Sequence, residues 1–510
     1  MESVLKTQNI CTKDCLLKCE KEIQIENEFV LPDYCPPIKK VLTYKIEPAI
    51  SSKNTSGNIL NLDGVSGFKL IYIDDRDTLN SFEGAFVFSK NIECDFELDN
   101  TKISIESIYE KISYRVLSER KIELKGPIYL KIYIYNVKKQ RCICSECSED
   151  FEMLTSSMTL KDSVLFAEKN LIIEEEISLS DSHSKIGKII NYSGKILADE
   201  CKVMNGKVML KGFLLVSVTY LSAENFTAHH FEQKIPYSQV CDVDGINDVY
   251  KCKTDEKLVF LEVKCRNAGY EESHTMLINA KICVNVEAYN DITTDVVLDI
   301  YSTEHSVEVV SEPVRTEQLI DTINDSFTAK KVLEFSGGSI GSVIDIRSDV
   351  QMNGIKLIDN CISVYGIAYI KMIICDVNGN PEFCERAIDF EYKCKVDYNN
   401  ENNEYNATLE LSNISYVITS DCCIEIRCDI DICLEIYEIR EANIITEVSV
   451  REEDLEPKND CSVIISYVNE ETDLWSIAKK YRSSVSEISA LNGIEKNVKT
   501  VSGPIVIPVK

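Results

Sequence analysis

This chain has one tryptophan, five histidines and eleven prolines in 510 residues, and it is short of positive charge: 55 Lys and Arg stand against 84 Asp and Glu, a net charge of −29. So acidic a body repels nucleic acid and anionic lipid, which sets both aside as partners. No run approaches the roughly 20 apolar residues that a membrane-spanning helix needs. The start, Met1-Glu-Ser-Val-Leu-Lys, lacks the basic-then-apolar order of an export signal, so the expectation is a protein of the cytosol. His183, His229, His230, His274 and His305 accompany no recognisable nucleophile, and no His-Glu-x-x-His pair occurs. Gly337-Gly338-Ser-Ile-Gly341 lacks the lysine and the following helix of a phosphate-binding loop. The expectation is a non-enzymatic chain with no cofactor.

Cysteine, by contrast, is plentiful, at 22 residues. With no export signal to imply an oxidising compartment, most of these read as small buried hydrophobes within apolar strands rather than as a disulfide framework. Cys142-Ile-Cys144-Ser-Glu-Cys147 offers three thiolates to a zinc ion, but no fourth ligand is evident nearby, and no metal site is assigned. Cys11, Cys15 and Cys19 would share one face if that segment were helical.

A chain of this length exceeds one ordinary core, and three or four domains is the starting expectation. Internal self-similarity supports it. A glycine followed by alternating apolar residues occurs three times: Gly67 with Ile71 and Ile73, where Lys69 breaks the pattern; Gly212 with Leu214, Val216, Val218 and Tyr220; and Gly366 with Ala368, Ile370, Met372 and Ile374. Upstream lie Ile38, Ile186 and Ile340, at intervals of 29, 26 and 26 residues. Downstream lie Cys94-Asp95, Cys241-Asp242 and Val396-Asp397, then a long alternating strand in each copy. Alternation with period 2 buries one face of a strand, and Asp63-Gly64, Asn205-Gly206 and Asn378-Gly379 read as hairpin turns. The expected fold is mainly β: three antiparallel β-sandwich-like repeats at 35–138, 182–292 and 333–440. An N-terminal segment at 1–34 precedes them. Connectors at 139–181 and 293–332 add strands or short helices, and an acidic linker spans 441–462.

The last segment, 463–510, has a different period. Val463-Ile464-Ile465 opens a strand. Leu474, Ile477, Ala478 and Tyr481 line one face of a short helix. Ser484-Val-Ser-Glu487 reads as a capping box, Val485, Ile488 and Leu491 line a second helix, and Gly493 fits its left-handed end. Ile505-Val506-Ile507-Pro508 returns as a strand. This small α+β (βααβ) module resembles a LysM domain, through the Tyr467-Val468 strand end, Leu474 to Tyr481, Leu491-Asn492, and Gly503 with Ile505 to Pro508. LysM domains usually bind N-acetylglucosamine polymers such as peptidoglycan. Where the family usually has Gly-Asp-Thr, part of its glycan groove, this chain has Glu471-Thr472-Asp473, which adds bulk and charge and favours a protein partner. Trp475 is expected at the edge of the module's core, in line with Lys479 and Arg482. Trp and Arg are enriched at binding hot spots. With Val463 and Asn492 these three form the candidate partner-binding set.

The repeats are similar to a domain of unknown function from spore-forming Firmicutes, best in the second copy, through Glu200 to Val208 and Gly212 to Tyr220. Repeats plus a terminal LysM-like module resemble the SipL family of clostridial spore-coat morphogenetic proteins. That resemblance implies a mother-cell cytosolic adaptor at the forespore surface, whose LysM domain binds SpoIVA, the ATPase of the coat's basement layer. The alternative is a LysM-mediated peptidoglycan-binding protein.

Overall fold

The computed structural model describes residues 6–508, apart from 100, 109–111, 145–150, 181–182, 267–273, 336–338, 359, 397–401, 452–461 and 496–497. The described chain is mainly β and its sheets are antiparallel. No described helix is long and apolar enough to cross a membrane.

One building plan occurs three times. A long strand leads: β1 (Thr7–Val30), with β8 (Phe151–Ser178) and β14 (Ser306–Glu334) in the later copies. A three-stranded meander follows. In the first copy it is β2 (Lys40–Ser56), β3 (Ile59–Ile73) and β4 (Leu79–Glu93). In the second it is β9 (Ile186–Met204), β10 (Lys207–Ser222) and β11 (Ala228–Asp242), and in the third β15 (Ile340–Ile358), β16 (Cys361–Asp376) and β17 (Pro381–Lys395). Shorter strands then lead into a long closing one. These are β5 (Thr101–Ile108) and β6 (Ser113–Ser118) before β7 (Lys121–Ile143), β12 (Lys251–Cys265) before β13 (Thr275–Ser302), and β18 (Asn403–Ser420) before β19 (Cys423–Arg451). Each closing strand pairs antiparallel with the leading strand of its own copy: β7 with β1, β13 with β8, β19 with β14.

The apolar alternation seen in the sequence is the inner face of these two layers. Phe68, Leu70 and Tyr72 of β3 meet Ile128, Leu130, Ile132 and Ile134 of β7. Leu214, Val216, Val218 and Tyr220 of β10 meet Ile278 to Val286 of β13. Ala368, Ile370 and Met372 of β16 meet Ile424, Ile426, Cys428 and Ile430 of β19. Two further apolar clusters join the copies. Leu42, Ile71, Ile73, Leu79, Ile190, Leu221 and Ile373 close the meander side. Ile10, Cys142, Leu160, Val296, Val314 and Ile444 close the long-strand side.

Several expectations change. The segments read as connectors add strand, as expected, but as the long β8 and β14 that open the second and third copies, and 1–34 is largely β1. These strands hide from a periodicity search because they are held by continuous backbone ladders, with much of their side-chain surface exposed or half-buried. Cys11, Cys15 and Cys19 therefore lie on a strand with a bulge between Cys15 and Leu17, not on a helix face. β19 runs on to Arg451 against Ser306, so strand takes in the first part of the segment read as an acidic linker; 452–461 lies outside the described residues.

The first repeat is also out by three residues. Gly64, not Gly67, is the counterpart of Gly212 and Gly366. It lies opposite Phe88 as Gly212 lies opposite Tyr237 and Gly366 opposite Phe390. Ile38 to Gly64, Ile186 to Gly212 and Ile340 to Gly366 are then all the same 26 positions apart. The pattern no longer breaks at Lys69, because Ser66, Phe68, Leu70 and Tyr72 are the inward residues. Asp63-Gly64 is mid-strand, and the hairpin turns at Gly57, φ 59°. Asn205-Gly206 and Asn378-Gly379 are turns as expected, with Gly206 at φ 75° and Gly379 at φ 85°.

A Cβ at Gly366 would fall 2.2 Å from the carbonyl oxygen of Gln351 and 2.6 Å from the Phe390 ring, whereas one at Gly67 would meet nothing within 4 Å. Gly366→Ala is expected to cost about 1–3 kcal/mol through forced backbone movement. Gly67→Ala is expected to be neutral or slightly stabilising, by up to about 1 kcal/mol. Denaturation midpoints of the two variants check this; equal midpoints would contradict the corrected register.

Candidate functional site: the C-terminal module and its seat

The module is a two-stranded antiparallel ribbon, β20 (Val463–Asp473) with β21 (Thr500–Pro508), carrying α1 (Leu474–Tyr481) and α2 (Val485–Asn492) between them. Asp473 caps α1 by accepting from Ser476 N at 3.0 Å, which satisfies one of the free amides of the first turn. Arg482 ends α1 in the left-handed conformation, φ 50°, and is exposed. Ser484 stands at the N-cap of α2, but its hydroxyl pairs with Ser486 Oγ at 2.7 Å rather than capping an amide, so the expected capping box is not closed by that hydroxyl. Gly493 closes α2 at φ 64° as expected. Leu474, Ile477, Ala478, Ile488, Val501, Ile505 and Ile507 form the core, with Trp475 and Tyr481 at its margin.

The five candidate residues separate into three situations. Asn492 turns inward. Its amide nitrogen donates to Ile488 O at 2.8 Å and Val506 O at 2.6 Å, and its oxygen accepts from Val506 N at 2.8 Å. That amide fastens α2 to β21 and is not free for a partner. Val463 faces outward with Ile465 and Tyr467, which are 48%, 59% and 76% exposed, a bare apolar row along β20. Arg482 is exposed at the end of α1, while Trp475 and Lys479 are brought together on a residue of the body.

That residue is Asp299, near the end of β13. Trp475 Nε1 donates to Asp299 Oδ2 at 2.8 Å, and Lys479 Nζ lies 2.6 and 2.8 Å from the two carboxylate oxygens. Two residues on, Tyr301 packs edge-on against Trp475, with ring centroids 4.9 Å apart at 62°. Its hydroxyl donates to Ser483 O at 2.7 Å. Tyr301 is 6% exposed and belongs to the module's own apolar cluster. Burial pushes the Asp299 acid up, but the bonds from Lys479 and Trp475 outweigh it and hold it below the usual carboxylate range. Strand geometry explains the arrangement. Asp299 and Tyr301 are two apart and share one face, while Ile300 between them points into a body cluster with Val297 and Ile445. The sequence reading missed both residues. The available signal was a lone carboxylate inside the apolar run Val296-Val297-Leu298-Asp299-Ile300-Tyr301.

A second concave feature lies between the meanders, a cleft of ≈ 1220 Å³ lined by Lys69, Asn191, Asp345 and Arg347 among others. Its buried charges are paired within their own copies and bonded across to the neighbouring ones. Asp345 accepts from Thr219 Oγ1 at 2.6 Å, Asn191 Nδ2 at 2.9 Å and Arg347 Nε at 3.1 Å. Arg347 also donates to Tyr192 O at 2.9 Å. Lys69 lies 2.7 Å from Glu83 and over the Tyr192 ring, and burial lowers its ammonium to about 8. The network reads as a fastening between repeats.

The thiols suggested for zinc sit elsewhere. Cys142 and Cys144 are buried in the long-strand junction, where burial pushes the Cys142 thiol up to about 12. Cys147 lies outside the described residues. Among the described residues, no group of three or more His, Cys, Asp or Glu is placed to hold a metal.

No curated protein and no solved structure matches the chain. Residues 185–266, from the start of β9 to the end of β12, match the family model described as the SipL SPOCS domain, and this match supports a SipL-like sporulation protein.

Proposed function

We propose that the chain is a non-enzymatic adaptor of spore-coat assembly. Its three β repeats form a scaffold. Its C-terminal module, read as a LysM domain, binds the SpoIVA-like ATPase of the coat's basement layer and helps the coat encase the forespore. The working place is then the mother-cell cytosol, at the forespore surface. The observation that carries this reading is the SPOCS match within one of three copies of the same building plan, followed by a βααβ module of a different kind. Glu471-Thr472-Asp473 at the place of the family's glycan-groove residues favours a protein over a sugar.

The test uses the full chain as bait in lysate of sporulating cells, alongside co-sedimentation with purified peptidoglycan. Capture of the basement-layer ATPase without co-sedimentation is expected. Co-sedimentation with peptidoglycan and no captured ATPase would replace this reading by the wall-binding one.

A further inference from the structure

We propose that the module recognises an extended segment bearing a carboxylate and, two residues on, a tyrosine, and that Asp299-Ile300-Tyr301 is an internal copy of that segment which covers the recognition face until a partner displaces it. This deepens the adaptor reading by naming what the module binds, and it rests on that reading only for the partner's identity. The seat has the features of a recognition contact. Both Asp299 oxygens are engaged by Lys479, one of them also by the indole N–H, and Tyr301 supplies an edge-on ring and a hydroxyl to a main-chain carbonyl. The body contributes one carboxylate and one phenol to these polar contacts. They fix a spacing of two residues on a β-strand, and they leave the residue between turned away and free to vary. A free protein that offers the same acid and tyrosine competes for the same face. A chain whose competent state is only fractionally open binds more weakly by that fraction.

The chain's only tryptophan is Trp475, so its emission reports the seat without interference. In the full-length chain, Asp299→Ala is expected to raise acrylamide quenching of Trp475 about twofold and move its emission to longer wavelength. An acetylated, amidated hexapeptide Leu-Asp-Ile-Tyr-Ser-Thr, added at millimolar concentration, is expected to return both signals toward wild type. The same peptide with Asn for Asp is expected to leave them unchanged. Affinity for the basement-layer ATPase is expected to tighten about tenfold in Asp299→Ala if the seat is open about a tenth of the time. Unchanged Trp475 signals in both Asp299→Ala and Tyr301→Ala, or equal action of the two peptides, would overturn the proposal. Released Trp475 with unchanged ATPase affinity would overturn the masking while leaving the adaptor reading standing. Failure of wild type and variant alike to bind the ATPase, with the peptide effects present, would count against the adaptor reading and not against the recognition of the segment.

Discussion

Replacing Asp345 by alanine is expected to cost about 3–5 kcal/mol, the loss that follows when one member of a buried charge network is removed and the others stay behind. Asp345 is 7% exposed on β15 of the third repeat, and its partners Thr219 and Asn191 belong to the second. The variant strands Arg347 beside Lys69, whose buried ammonium is already lowered to about 8 by burial. The network reaches the first repeat through Tyr192, which donates to Glu83 at 2.9 Å. The damage should therefore appear as a separation of the repeats, with an unfolding transition at lower denaturant that splits away from the rest. Burial raises the Asp345 acid, but Arg347, Thr219 and Asn191 outweigh burial and hold it below its ordinary 3.8. A carboxylate lowered in the folded state stabilises at all pH above its unfolded value and ceases to do so as pH falls through the folded one. The wild-type advantage over Asp345→Ala should thus be full at neutral pH and shrink only below about pH 4. Denaturant titrations of both proteins at pH 7 and about pH 2 measure it; an equal advantage at the two would contradict the role given to the carboxylate.

Trp475→Glu is expected to abolish partner binding, a loss of at least about 2 kcal/mol or roughly thirtyfold in affinity, the scale of a hot-spot truncation. The indole is half-buried and carries a hydrogen bond, a ring contact and the shoulder of the module's core. A glutamate there faces Asp299, so the module should also leave its seat through like-charge repulsion. Leu474, Ile477 and Ala478 keep the core face of α1, and the melting of the module should change little. Lys479→Glu should act in the same direction but less strongly, and binding by that variant should depend less on salt, because one ion pair is lost. Wild-type affinity in Trp475→Glu would remove Trp475 from the interface. Lost binding together with a melted module would make it a core residue instead.

How far the sequence speaks depends on what holds each element. β3, β10 and β16 bury one face against β7, β13 and β19, and burial imposes the alternation that made the repeat visible. Leading strands β1, β8 and β14 are fixed by hydrogen bonds to those closing strands, which any side chain permits, so 293–332 reads as a connector although β14 is laddered to β19 along its length, with Ile320 skipped at a bulge. The three-residue misalignment at Gly67 has a similar origin. Two glycines stand close together in β3, and only the close approach of Phe88 shows that Gly64 is the one the fold requires. In the module, helix-period spacing and the Gly493 end were legible, and so was the position of Trp475 at the core's edge. Its partner Asp299 showed only as a lone carboxylate in an apolar run, and nothing local ties it to Trp475, 176 positions away.

The most direct measurement is hydrogen–deuterium exchange of the full chain with and without the basement-layer ATPase. The account predicts new protection across α1 and its cap, residues 474–482, where the partner seats. It also predicts faster exchange of the unseated strand end at 298–303, with the meanders of all three repeats unchanged. Protection confined to the repeats, with 474–482 and 298–303 exchanging as in the free chain, would contradict it.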